Sequence, residues 1–435
     1  MEKPVLVIGG GVAGIQAALD LADRGLQVHL VEKSPSIGGV MAQLDKTFPT
    51  MDCSICILAP KMIECSRHPN IEIHTLSEVT GLEGQEGNFK VNLWKEPRYV
   101  DASKCTGCGL CAEKCPTKVK DEWQEGLTER KAIYMMFPQA VPLIACIDKE
   151  NCLYFQKGIC QVCSKLCPAG AIDYEQQPQE LELNVSSIIL ATGFEEFDPS
   201  ELGEYGYSRY EDVITSMEFE RLVCASGPTH GHLNRPSDGK LAKRIAFVQC
   251  VGSRSHQKGY PFCSSVCCMY ATKEAVLIKE HDPESEVSIF YLDLKVFGQG
   301  FQDFVNRAKS HYGVEYIRGR PGEIRRNPLN GNLTLWYEDT RTGKVSEKEF
   351  DLVVLCTTMI SRPENQELAE TLGLKLNEWG FFKSKDSVDN PIETEKSGIF
   401  ICGCCHGPRD IPESVAEASG AAASAAEVAR RTINE

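Results

Sequence analysis

The stretch Pro4 to Lys33 constrains the fold more than any other. An apolar run (Val5, Leu6, Val7, Ile8) enters Gly9-Gly10-Gly11-Val12-Ala13-Gly14, a helix with periodic apolar residues (Ile15, Ala18, Leu19, Ala22) follows, and a second apolar strand, Val28 to Val31, ends at Glu32. This is the pattern of a dinucleotide-binding βαβ unit. Gly9 allows the tight turn, Gly11 lets the backbone approach a pyrophosphate at the helix N-terminus where Val12 and Ala13 begin, and Gly14 lets helix and strand pack closely. Glu32, about 20 residues on, is placed to take a ribose hydroxyl. A glycine-rich turn without ligand is the bland alternative, outweighed because the glycines follow a strand, open a helix and precede an acid at the right distance. The loop Lys33-Ser34-Pro35-Ser36-Ile37-Gly38-Gly39 then continues over the dinucleotide, its glycine pair suited to close backbone approach.

With 435 residues, 42% hydrophobic and 25% charged, the chain has ordinary soluble composition and room for two or three domains. Sixty-one acids against forty-six bases give a formal charge of −15, which disfavours nucleic acid and anionic membranes as partners. No apolar run approaches the roughly 18 residues of a membrane span, and Met1 leads into the first strand without a signal peptide. A cytoplasmic location is expected. Twenty-one cysteines at short spacings then point to metal or redox chemistry rather than to disulfides.

The most specific of those spacings is Cys105-x2-Cys108-x2-Cys111-x3-Cys115-Pro116, followed by Cys152, then Cys160-x2-Cys163-x3-Cys167-Pro168. This is the bacterial ferredoxin run twice over, in which the fourth cysteine of each run ligates the other cluster. Cys105, Cys108, Cys111 and Cys167 are assigned to one [4Fe–4S] cluster, and Cys115, Cys152, Cys160 and Cys163 to the second. Seven residues separate Cys152 from Cys160 where the pattern has two, so Cys146 is a rival, poorer ligand. Cys53 and Cys56 have CxxC spacing, open to a dithiol, half a metal site or two buried thiols.

Before the ferredoxin run, residues 71 to 100 read as short strands broken by Gly84, Gly87 and Asn88; after it, Leu181 to Leu190 returns to strand character and closes with Ala191-Thr192-Gly193. That closure resembles the crossover segment of thioredoxin-reductase-type flavoproteins, which have two dinucleotide-binding domains. The fold class is therefore α/β, with the ferredoxin (α+β) inserted into a flavin domain. A second βα unit starts at Lys243, but after Val248 the turn reads Gln249-Cys250-Val251-Gly252-Ser253-Arg254. Where such flavoproteins carry the glycine fingerprint for NAD(P)H, the first glycine is a glutamine. In its place stand Cys250, Cys263, Cys267 and Cys268, a loop and a helix start that suffice for a third [4Fe–4S] cluster, buried cysteines being the alternative. Cys356 and Cys224 read as small core residues. In the tail, Ser397 to Gly403 is a strand into glycine, where such flavoproteins carry their last FAD motif. Asp410-Ile411-Pro412 opens an alanine-rich helix, Glu413 to Arg431, whose N-terminus would favour negative charge on a reduced flavin. Cys402, Cys404 and Cys405 sit on too tight a turn to converge on a cluster. The expected domains are 1–100, 177–240 and 366–435 for FAD, 101–176 for the ferredoxin, and 241–365 for the second, cluster-bearing Rossmann-like domain.

Together, Gly9 to Gly14, Asp52-Cys53-Ser54-Ile55-Cys56-Ile57-Leu58-Ala59-Pro60-Lys61-Met62, the doubled ferredoxin run, Gln249 to Arg254, Cys263 with Cys267-Cys268-Met269-Tyr270-Ala271, and Gly403-Cys404-Cys405-His406-Gly407-Pro408-Arg409-Asp410-Ile411-Pro412 resemble HdrA, the flavin-containing component of heterodisulfide reductase. The resemblance implies FAD and three [4Fe–4S] clusters, the third held by Cys250, Cys263, Cys267 and Cys268. It implies an oxidoreductase component that serves as an electron-transfer hub, with HdrB/HdrC-like subunits on one side. On the other stand hydrogenase-, formate- or NADH-oxidising subunits, or ferredoxin. It implies homodimerisation within a larger complex, without a direct membrane span. Longer members have further N- and C-terminal domains, so one branch for low-potential electrons is expected elsewhere, which bears on electron bifurcation. The rivals are a self-contained NAD(P)H oxidoreductase of the glutamate-synthase small-subunit type, a passive scaffold whose FAD is structural, and a Qmo-like component exchanging electrons with a quinone-linked membrane complex.

Overall fold

The fingerprint strand, Val5–Ile8, is the middle of a five-stranded parallel sheet in the order Ile399–Ile401, Ser187–Leu190, Val5–Ile8, Val28–Glu32, Ile71–Thr75. Parallel strands covered on both faces read as unbroken apolar runs, and all four residues of the central strand are buried. The helices Val12–Ala22 and Ile411–Arg431 pack on each other. The second depends on small residues: Ala418, Ala421, Ala422, Ala425, Ala426 and Ala429 are all buried. The computed structural model describes residues 3–431, so Met1, Glu2 and the last four residues of the expected closing domain lie outside the described residues.

Contact clustering divides the chain into one unit of residues 1–42, 56–194 and 361–435, and another of 43–55 and 195–360. The first unit adds an antiparallel sheet of Ser77–Gln85, Asn88–Lys95 and Gln179–Val185. The apolar run 181–190, expected as one strand, is two. At Ser186 the chain leaves the antiparallel sheet and enters the parallel one, and the Ser186 hydroxyl donates to the carbonyl of Pro4 at 3.1 Å.

The second unit has its own parallel sheet, Val213–Thr215, Leu352–Thr357, Arg244–Val251, Glu286–Tyr291, Glu315–Arg318, with a three-stranded antiparallel sheet over residues 323–350. Residues 195–240 belong here, so the boundary expected at 240 falls near 194. The cause is pairing: Val213–Thr215 is an edge strand of the second sheet, in register with Val353–Leu355. Residues 43–55 likewise pack with this unit, where the Asp45 N–H donates to Glu220 at 2.8 Å.

Candidate functional site: a dinucleotide cradle and three sets of thiols

The turn after Val5–Ile8 is built by close approach. A methyl on Gly14 would stand 1.8 Å from the carbonyl oxygen of Gly9, and one on Gly9, at φ +111°, 2.2 Å from that of Ala191. Gly11 differs: a methyl there meets nothing nearer than Gly39 at 4.0 Å, so the helix opens onto a space a side chain would fill. That is the room a pyrophosphate needs at a helix N-terminus. Glu32 accepts from Gly10 N–H at 2.7 Å and from the N–H and hydroxyl of Ser34 at 2.8 and 2.7 Å. The acid thus ties the glycine turn to the loop that follows it, and a carboxylate's remaining lone pairs can still take a ribose hydroxyl. Gly38 donates to the carbonyl of Gly10, drawing that loop over the turn. Lys33, more than half exposed, pairs with Glu78 and Glu364 at 3.5 and 3.3 Å.

Thr192 and Gly193 end the crossover strand, Thr192 within 3.2 Å of Asn365. Gly403, at φ +68°, brings the tail against the fingerprint helix, where a methyl would meet Ala13 at 3.1 Å. Its N–H donates to Glu417, which also pairs with His406 at 2.9 Å and Arg409 at 2.7 Å. Burial alone would raise Glu417, but His406 and Arg409 hold it below the ordinary carboxylate range. The closing helix begins at Ile411 rather than Glu413 because Asp410 and Glu413 form a reciprocal cap, with N–H to carboxylate distances of 3.0 and 2.8 Å. With Pro412 lacking an N–H and Glu413 capped, Ile411 is the first-turn donor that the cap leaves over. Cys402 and Cys405 direct their thiols at the carbonyl of Leu190, and Cys404 at that of Arg409. Burial pushes Cys404 and Cys405 up to about 11 and about 12, so these stay thiols.

In the insert, the helices Leu110–Lys114 and Val162–Leu166 end at Cys115 and Cys167, both in extended backbone, because a proline follows each. That stop turns the fourth thiol of each run away from its own helix. Cys115, Cys152, Cys160 and Cys163 line one cavity with Ile133, Ile147 and Tyr174. Cys146 is not among its walls; it sits buried in the strand Cys146–Ile147. Tyr174 lies 3.0 Å from the Cys163 sulfur and stacks on Tyr154 at 4.0 Å. In the other set, burial and then the neighbouring thiols Cys105, Cys163 and Cys108 push Cys111 up to about 11, despite an opposing backbone hydrogen bond. Thiols crowded in this way ionise readily only with a cation between them.

The insert is clamped to the dinucleotide loop. Val141 pairs with Ile37 as an antiparallel bridge, and the Ser36 hydroxyl both donates to the Val141 carbonyl at 3.1 Å and accepts its N–H at 2.8 Å. Arg98, nearly fully buried, donates to the carbonyls of Pro35 (2.7 Å) and Ile144 (3.3 Å) and to the Thr75 hydroxyl. The long span between the ferredoxin runs therefore carries the contact between the insert and the loop over Gly10.

In the second unit, the strand Arg244–Val251 does not end in a tight turn. Its register shifts after Val248, Cys250 takes φ +61°, and the next helix starts only at Cys267. A methyl on Gly252 would strike the Phe197 ring at 2.4 Å, so the place of a phosphate-binding turn is filled by protein. Cys267 and Cys268 occupy the first turn of the helix Cys267–His281, where the dipole favours thiolate. The hydrogen bond with Cys250 lowers Cys267, but Cys268 and burial outweigh it, pushing Cys267 up to about 12; contact with Cys267 and burial raise Cys250. Cys268 accepts from Lys295 N–H at 3.4 Å, and Cys263 from Ser265 N–H at 3.4 Å. The buried Gln249 amide nitrogen and Ser253 hydroxyl have no hydrogen-bond partner among the described residues. Donors left over beside crowded thiols fit a centre that brings its own acceptors, as the sulfides of an iron–sulfur cluster do. Cys356 is buried as expected, whereas Cys224 is a half-exposed helix cap 3.2 Å from the Ser226 hydroxyl. Cys53 and Cys56 are each disulfide-bonded rather than free, Cys56 within the helix Ser54–Arg67.

Comparison with known proteins agrees with this geometry. Residues 4–51 match the FAD dependent oxidoreductase family, and residues 98–121 the 4Fe-4S binding domain. The thioredoxin reductases of T. acidophilum and Lactococcus lactis share the fold, with TM-scores of 0.52 and 0.52 at 14% and 16% identity over 97% and 100% of this chain and 97% and 99% of theirs. The A component of the H(2):CoB-CoM heterodisulfide,ferredoxin reductase of Methanothermobacter thermautotrophicus is 50% identical over 98% of this chain and 64% of its own length. An iron-sulfur A component of the CoB--CoM heterodisulfide reductase of Methanopyrus kandleri is 54% identical over 97% of this chain and 63% of its own. The chain thus spans somewhat under two thirds of these relatives. Against the A component of the H(2)/formate:CoB-CoM heterodisulfide,ferredoxin reductase of Methanococcus maripaludis, identity is 50% over all of this chain and 67% of that one. On this likeness, carried through flavin fingerprint, insert and second unit alike, the chain belongs to the HdrA family of heterodisulfide reductase components.

Proposed function

We propose that this chain is the electron-transferring flavoprotein component of a heterodisulfide-reductase-type complex. Its FAD is held by Gly9, Gly11, Val12, Ala13, Gly14, Glu32, Lys33, Gly38, Gly39, Thr192, Gly193, Gly403, Asp410, Ile411 and Pro412. FAD exchanges electrons in pairs and a [4Fe–4S] cluster one at a time, so their combination lets paired and single-electron carriers be connected. One cluster falls to Cys105, Cys108, Cys111 and Cys167, a second to Cys115, Cys152, Cys160 and Cys163, and a third to Cys250, Cys263, Cys267 and Cys268. The partners are HdrB/HdrC-like subunits on the acceptor side and a hydrogen-, formate- or NADH-oxidising subunit, or ferredoxin, as donor. The location is cytoplasmic; no described helix is long and apolar enough to cross a membrane.

The observation that carries the reading is the strand running on through Gln249, Cys250 and Val251, with Phe197 against Gly252, where a nicotinamide cofactor would need a phosphate cradle. Anaerobic stopped-flow on the isolated holoprotein tests it. Neither NADH nor NADPH should bleach the flavin rapidly, whereas reduced ferredoxin or the co-purified donor subunit should; rapid bleaching by NADPH overturns the proposal.

The cavity walls separate the two ligand candidates in the second ferredoxin run. Cys146→Ser is expected to keep the iron content of the parent protein, and Cys152→Ser to lose one cluster, about four irons per chain by chemical iron assay. Loss in the first variant with retention in the second would reverse the assignment.

A further inference from the structure

The edge of the dinucleotide sheet carries a cluster that the flavin and the thiols do not use. His29 on Val28–Glu32 and Glu72 on Ile71–Thr75 are register partners in parallel pairing, and Val31 is partnered with His74. Side chains alternate along a strand, so His29, Glu72 and His74 stand on one face. His29 Nδ1 lies 3.0 Å from His74 Nε2 and 3.4 Å from Glu72 Oε2, and His74 Nε2 lies 3.8 Å from Glu72 Oε1. No other set of three His, Cys, Asp or Glu side chains among the described residues brings its ligand atoms within 4.8 Å of one another. Taking one ligand atom from each residue, the two imidazoles and the carboxylate lie within 4.8 Å of one another, close enough for small side-chain adjustments to bring them to the roughly 3.3 Å spacing of a tetrahedral site with bonds of about 2.0–2.1 Å.

We propose that His29, Glu72 and His74 form a binding site for a borderline divalent transition ion of the zinc class. Two imidazoles and a carboxylate match such an ion; a hard ion such as magnesium prefers all-oxygen donors, and a soft one sulfur. Three protein ligands leave a fourth position, and it faces solvent. The His74 side chain is 5% exposed and that of His29 17%, but that of Glu72 is 66% exposed, on the last strand of its sheet. Without an ion, a direct contact between two neutral imidazoles is one shared hydrogen bond; with one, both strands are pinned through the same centre.

The test is anaerobic equilibrium dialysis of the holoprotein against zinc alone, with zinc and iron measured together by mass spectrometry. The parent protein should retain one zinc per chain beyond the amount held by His29→Gln, with iron and flavin equal in both. Glu72→Gln should show weaker retention, and neither substitution buries a new charge, so folding can be checked through the unchanged flavin. X-ray absorption at the zinc edge should show nitrogen and oxygen neighbours only. Equal zinc in parent and His29→Gln, or sulfur in the zinc shell, overturns the proposal.

Discussion

Replacing Cys267 with alanine is expected to remove about four of about twelve irons per chain while leaving the full complement of FAD. The third set of thiols lies in the unit formed by residues 43–55 and 195–360, whereas the glycine cradle belongs to the other unit. Loss of one should therefore spare the other. Cys267 is completely buried at the first turn of its helix and in contact with Cys250 and Cys268. Deleting its sulfur leaves a cavity of one atom, a cost of about 1 kcal/mol, too small to unfold the unit. The control is Cys356→Ala, equally buried in the same unit at the end of the strand Leu352–Thr357, which should keep all its iron. The variant should also fail to pass electrons to a disulfide-reducing partner under single-turnover conditions. Unchanged iron in Cys267→Ala, or equal loss in Cys356→Ala, sinks the assignment.

Chemistry carried by local spacing was legible in the sequence, and chemistry carried by register was not. Gly9, Gly11 and Gly14 announce the cradle because each meets a steric demand within one turn of chain. The two Cys-Pro pairs announce where the short helices of the insert stop, because proline acts on the residue before it. The missing fingerprint after Val248 could be read as one residue type in the wrong place, although the bulge that replaces the turn could not. By contrast, His29 and His74 are 45 residues apart and meet only through strand pairing, so no motif scan isolates them. The clamp of Arg98 and Val141 on the dinucleotide loop was equally hidden, since a loop without periodicity gives no sign of what it covers.

Another pairing that spacing does not reveal, between residues 53 apart, sits in the core of the second unit. Lys273 and Glu220 form an ion pair with both side chains 2% exposed, and Glu220 also accepts the N–H of Asp45. Glu274, the next residue on the helix, is buried too; one of its carboxylate oxygens has no hydrogen-bond partner among the described residues, and burial and then the charge of Glu220 raise it well above its ordinary value. Lys273 is thus a cation shared by two buried acids. Lys273→Met keeps the packing but strands a carboxylate, and should cost about 3–5 kcal/mol at pH 7. The loss is read from the denaturant midpoint and from faster amide exchange in the helix Cys267–His281. Glu274→Gln should act in the opposite direction, and the sign follows from linkage. A carboxyl held above its unfolded value of 4.5 keeps a proton that the unfolded chain releases, so its contribution to stability falls as pH rises past that value. Glutamine has no proton to release. The Glu274→Gln advantage should therefore be small near pH 4 and grow towards pH 8. A Lys273→Met protein as stable as the parent at pH 7 would show that the ammonium is not what keeps these two acids in the core.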